Sequence, residues 1–224
     1  MPVTLARRLV AEALGTGLLL VAVVGSGIAA QRLSPTDVGL QLLENAIATG
    51  VALVGLILVF GPVSGAHFNP AVTLVARLDG SLDTVEAVAY TGAQVVGGAA
   101  GAVLANAMFE LPLVEWSTTT RSSGALWLSE VVATVGLLLV IFSLVRTGRE
   151  SSVPVAVGAW IAGAYWFTSS TSFANPAVTV ARTISDSFAG IDPTSAPMFV
   201  LMQLAGVVVA VTLLRFLYPV RLAP

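Results

Sequence analysis

The chain has no cysteine, no lysine and a single histidine, and only 10% of its 224 residues are charged. Without cysteine there is no disulfide, no thiolate metal site and no cysteine nucleophile, and the redox state of the compartment stays open. One histidine, His67, argues against a histidine-built metal centre. Ten arginines against twelve acidic residues leave a formal net charge of −2, too small to steer nucleic acid or an acidic partner. Charge here acts by position. An enzyme is disfavoured as well, since Ser169, Ser170 and Ser172 have no base and orienting acid beside them.

Apolar residues are abundant, at 56% of the chain with a mean hydropathy of +0.93. A soluble domain has no place to hide that much apolar surface, so the bilayer is the expected solvent. Apolar runs lie at roughly 8–30, 38–60, 84–108, 125–146, 153–169 and 196–217, most of them near the ~20 residues of a spanning helix. The first is too long for a signal peptide and is interrupted by Glu12, so it reads as a retained helix. Six crossings place both termini on one side. Arg7, Arg8, Arg215 and Arg221 sit at those termini and Arg146 and Arg149 between the fourth and fifth runs, which makes that side cytoplasmic by the positive-inside rule. Arg32 and Arg121 fall in the opposite loops.

The chain also repeats itself. "AEALGTGLLLVAVVGSG" from Ala11 is echoed by "SEVVATVGLLLVIFSLV" from Ser129, and the third and sixth runs each carry one glutamine, Gln94 or Gln203. "NPAVT" occurs at Asn69 and again at Asn175. Each half reads as helix, helix, Asn-Pro-Ala segment, helix. Three crossings per half turn the second half upside down relative to the first, an inverted repeat. The repeats cover about 5–110 and about 122–220 of one domain that spans 1–224.

Proline suits the first position of a helix and asparagine the cap before it, so Asn69-Pro70-Ala71 and Asn175-Pro176-Ala177 predict helix starts. About two turns follow before Arg77 and Arg182, too few to cross a membrane. These are expected to be half-helices entering from opposite faces, with "GPVSGAHF" and "FTSSTSF" as non-helical linings of a wet path. Two helix N-termini at the midplane disfavour cations, while the asparagine amides can donate to a neutral oxygen.

The paired Asn-Pro-Ala boxes, "SGAHFNPAVT", Glu12, Glu130 and six spans resemble the major intrinsic proteins, the aquaporin and aquaglyceroporin family. The resemblance covers nearly the whole chain. It implies an all-α membrane protein with six transmembrane helices and two re-entrant half-helices. It also implies a homotetramer in lipid in which each protomer has its own pore, in the cell membrane, passing water and small neutral solutes without a cofactor. The lining backbone then comes from Gly65, Ala66, His67, Thr171 and Phe173, with His67 using its ring to brace its loop.

At the family's constriction an arginine follows the second box; here that position is Val178. The family's spacing carries the other ring positions to Thr49, Ser172 and, on the fifth helix, Tyr165 or Gly163, with Tyr165 favoured because length changes fall more easily in loops. Loss of a fixed charge and a rigid donor fork predicts a wider, less polar ring. Glycerol, urea and arsenous acid are the expected passengers, with a water-selective pore as the alternative and a secondary transporter or a purely structural role as more distant ones. Arg182, four residues beyond Val178, is expected either in an outer vestibule with Asn45, paired with Glu44, or snorkelling to water. Glu12 and Glu130 are expected to accept hydrogen bonds from the re-entrant loops; a proton relay is the other reading.

Overall fold

The computed structural model describes residues 3–219; Arg221 and the end of the second repeat, from residue 220, lie outside the described residues. All the regular structure described is helical. The first half holds α1 (Leu5–Leu33), α2 (Val38–Ser64), the short α3 (Pro70–Leu78) and α4 (Thr84–Met108). The second repeats the order with α5 (Gly124–Arg146), α6 (Val153–Phe167), the short α7 (Pro176–Ala181) and α8 (Ala196–Leu217). A 3₁₀ turn, Glu150–Ser152, leads into α6, and another, Arg182–Ile184, extends α7. Four of the long helices open on a side-chain cap, from Thr4, Asp37, Asp83 and Ser123, and Asp83 forms a capping box with Glu86.

Among the described residues, five helices have 18 or more residues and are apolar enough to cross a membrane: α1, α2, α4, α5 and α8. The fifth apolar run forms the shortest of the six long helices. Its helix, α6, has 15 residues and rises only about 22 Å. It stops at Phe167 because Thr168 turns to extended backbone, where the second re-entrant loop begins.

The packing follows the repeat. α1 lies against α2 and α4, as α5 lies against α6 and α8; across the halves α2 meets α6, α3 meets α8 and α4 meets α7. Small residues set the closest crossing. A Cβ on Gly97 would stand 2.1 Å from the Ala13 carbonyl oxygen and one on Gly101 2.1 Å from that of Gly17, so α1 and α4 touch backbone to backbone.

Polarity is distributed inside out. Glu12, Gln94, Glu130 and Gln203 are 0% exposed, whereas Val51, Val96, Leu128 and Val208 are 63–69% exposed on outward faces. Such an apolar exterior around a polar centre belongs in lipid.

Candidate solute pore

The two half-helices begin where the asparagines cap them. Asn69 Oδ1 accepts from Ala71 N at 2.9 Å, and Asn175 Oδ1 accepts from Ala177 N at 3.0 Å and Val178 N at 3.2 Å. With the oxygens so engaged, the amide nitrogens reach across the repeat. Asn69 Nδ2 donates to the Ala174 carbonyl and Asn175 Nδ2 to the Phe68 carbonyl, both at 2.8 Å. Each Nδ2 has a second hydrogen with no protein acceptor among the described residues, and both asparagines line the central cavity.

The loops before them are held in matched left-handed conformations, at Gly65, Ala66 and Phe68 in the first half and at Thr171, Ser172 and Ala174 in the second. Only Gly65 adopts such a φ without cost; the others need an external hold. Glu12 supplies the first, accepting from His67 N (3.0 Å), Phe68 N (2.8 Å), Ser64 Oγ (2.6 Å) and Gln94 Nε2 (2.7 Å). Glu130 repeats the set with Phe173 N, Ala174 N, Ser170 Oγ and Gln203 Nε2. Gln94 and Gln203 also donate to Thr73 and Thr179, the fifth residues of the repeated "NPAVT". His67 Nδ1 shares a hydrogen bond with Thr73 Oγ1 (3.1 Å), and its ring packs edge-on against Tyr90. The N–H groups of His67 and Phe173 go to the glutamates, those of Ala66 and Ser172 to Ser64 Oγ and Ser170 Oγ, and that of Gly65 to the Gly61 carbonyl; all five residues line the cavity, and their carbonyls accept no protein hydrogen bond among the described residues.

That cavity has a volume of about 630 Å³. Its wall includes Pro154, Val157, Ile161 and Tyr165, one face of α6 over about 16 Å, and Thr49, Leu53, Ile57 and Gly61, one face of α2. It extends from Glu150 and Ser151 at one end, past the paired asparagines, to Tyr165 and Arg182 at the other.

At the far end Thr49 Oγ1 and Tyr165 OH share a hydrogen bond of 3.2 Å. Ser172 Oγ is buried without a partner, and Val178 is 5% exposed. All four line the cavity; Gly163, the other fifth-helix choice, does not. Thr171, whose N–H closes a turn onto the Thr168 carbonyl, is not among the residues that line it.

Asn45 is the larger correction. It shares the helical face of Thr49, but α1 covers it: Nδ2 donates to the Val23 carbonyl and to Ser26 Oγ, both at 2.8 Å, and the residue is fully buried outside the cavity wall. Glu44 accepts from Ser34 Oγ and forms no ion pair with Arg182. Arg182 does not snorkel; it is 2% exposed and lines the cavity, while its counterpart Arg77 is exposed and bound to Thr84 Oγ1.

Several contributors were missed from sequence. Ser64 and Ser170 each stand five residues before a box asparagine, a shared spacing that marks them. Arg121, an exception to the arginine bias, staples the outer loop: Nε donates to Gly190 O (2.8 Å), Nη2 to Phe188 O (3.2 Å) and Nη1 to Ser170 O (3.5 Å). Burial lowers the pKa of that guanidinium from its ordinary value. Among the described residues no three His, Asp or Glu side chains converge as metal ligands.

Comparison with known proteins agrees with this geometry. A family profile described as "Major intrinsic protein" matches residues 2–172. The chain is 53% identical over 213 residues to "Aquaglyceroporin AqpS" of Rhizobium meliloti (strain 1021), covering 95% of this chain and 91% of that one. It is 34% identical over 128 residues to "Lens fiber major intrinsic protein" of Ovis aries, covering 53% of this chain and 48% of that one. The X-ray structure of the aquaglyceroporin from Plasmodium falciparum superposes with a TM-score of 0.72 over 97% of both chains, at 23% identity, a likeness of fold.

Proposed function

Because this chain belongs to the major intrinsic protein family, a family of channels, we propose that it passes glycerol, urea or trihydroxylated metalloids such as arsenous acid, with water, down their gradients through a widened ring of Thr49, Tyr165, Ser172 and Val178. The observation that carries the reading is Val178 in the cavity wall, at the position where the resemblance puts arginine. Exchange of a guanidinium for an isopropyl group removes bulk and a rigid donor fork from the ring. The rest of the wall suits a polyol. Its carbon edge can lie on Leu53, Ile57, Val157 and Ile161 while its hydroxyls meet the free carbonyls of Gly65, Ala66 and His67 and the two asparagine amides. The name of the rhizobial relative, an aquaglyceroporin, supports this reading.

In this reading Glu12 and Glu130 brace the re-entrant loops, each holding four donors from its own half. The exposed valines and leucines face lipid or sister protomers of a homotetramer, and the arginine-rich ends, Arg7, Arg8, Arg146, Arg149 and Arg215, face the cytoplasm. A water-selective pore is the second reading, favoured by the Thr49–Tyr165 hydrogen bond, which draws two ring members together.

Stopped-flow light scattering on proteoliposomes separates the two. Fast reswelling in glycerol, urea or arsenous acid after the osmotic shrinkage supports the wide ring and identifies the passenger, and Val178→Arg should slow that reswelling about tenfold or more while sparing water. Shrinkage without reswelling in the parent supports the water pore. An unchanged solute profile in Val178→Arg removes Val178 from the ring.

A further inference from the structure

Val178 removes one charge from the ring, but the ring still has another beside it. Arg182 follows Val178 by one helical turn, on the same face. Helical side chains lean toward the N-terminus, and the Arg182 guanidinium folds back to lie 3.4 Å over the centroid of the Phe173 ring. Phe173 precedes the half-helix, so this stacking brings the charge down to the level of Ser172 and Val178. Nε donates to the Ala189 carbonyl and fixes the group from a second side. Nη1 and Nη2 have no protein acceptor among the described residues and remain open to the cavity that the residue lines.

Among the described residues no carboxylate forms an ion pair with this cation. The ion pairs among the described residues are Arg8–Glu86 and Arg146–Asp79. Arg121, on the same Phe173 ring at 5.2 Å, differs in having every side-chain nitrogen on a backbone carbonyl. A buried guanidinium without a counter-ion is costly to keep, and an intramembrane charge that opens onto a wet path marks the path itself.

We infer that Arg182 is the charged residue of the selectivity ring, so that width and charge, which one arginine would combine, are divided here between Val178 and Arg182. Val178 sets the opening. Arg182 repels monovalent cations and presents its Nη donors to the oxygens of passing neutral solutes. The inference rests on the channel reading and deepens it.

The test uses proteoliposomes of the parent, Arg182→Gln and Arg182→Lys, read both for glycerol reswelling and for sodium and proton leak under a clamped potential. The glutamine variant should gain a cation leak of about tenfold or more, as expected from removal of a unit charge beside a narrow wet path, and, having lost the Nη donors, should reswell in glycerol at a changed rate. The lysine variant keeps the charge and should stay cation-tight. A glutamine variant as tight as the parent overturns the inference. So does a cation leak in the parent or in the lysine variant, a result that does not depend on whether the glutamine variant folds. Failure of the parent to pass any solute, glycerol or water, counts against the channel reading instead.

Discussion

Glu130→Gln asks how the second re-entrant loop is held. Glu130 Oε1 accepts from Ser170 Oγ at 2.6 Å and Phe173 N at 2.9 Å, and Oε2 from Ala174 N at 2.9 Å and Gln203 Nε2 at 2.6 Å. In glutamine one oxygen becomes an NH₂ group, and whichever way the amide turns, that group meets one backbone N–H and one side-chain donor. The serine hydroxyl or the Gln203 amide can turn round to accept, but the N–H of Phe173 or Ala174 cannot. One stranded backbone donor costs about 1–3 kcal/mol and the bond given up in the turning about 1 more, for a loss of about 2–4 kcal/mol. The loss falls on a loop whose Thr171, Ser172 and Ala174 sit at φ of 62°, 52° and 47°, each strained by about 1–2 kcal/mol. The loop should therefore release before the helices part. Thermal unfolding of purified protein in detergent reads the loss, and osmotic permeability reads the loop. Glu12→Gln, with its matched donors, should cost the same within about 1 kcal/mol. A Glu130→Gln protein with parental melting and parental flux would refute the reasoning and assign the hold to packing alone.

Two further substitutions test the frame. Gly101→Ala puts a methyl group 2.1 Å from the Gly17 carbonyl oxygen and must push α1 from α4, at about 1–3 kcal/mol; Gly92→Ala, whose Cβ meets nothing within 4 Å, should be neutral or slightly stabilising by the same melting assay. Arg146→Ala removes donors to the Leu214 and Tyr218 carbonyls and the 2.7 Å ion pair with Asp79, so the end of α8 should fray, with limited proteolysis near Tyr218 faster and a stability loss of about 1–3 kcal/mol.

The sequence was readable where its information is local. Hydropathy marked the long helices, and Asn-Pro marked both half-helix starts, because cap and first-turn chemistry act within three residues. Asn45 was misplaced because its spacing gives a helical face but not what covers it; Val23 and Ser26 of α1 do so from about twenty positions away. Arg182 was undecidable for the same reason, as its course depends on a ring nine residues earlier and a carbonyl seven residues later. The end of α6 at Phe167 is set by the next loop, whose extended backbone begins at Thr168 and which hydropathy does not register.

The exchange of amide and carbonyl between the two boxes bears on how the protein is made. Phe68 O and Asn69 Nδ2 find their partners 107 and 105 residues away. A ribosome delivers the first of those partners long before the second, so for most of synthesis the early half has one donor and one acceptor in waiting. Neither half can finish its own wall. A chain interrupted between α4 and α5 leaves a fragment with half a lining and no enclosed route, so an incomplete copy is not expected to breach the membrane it is being inserted into.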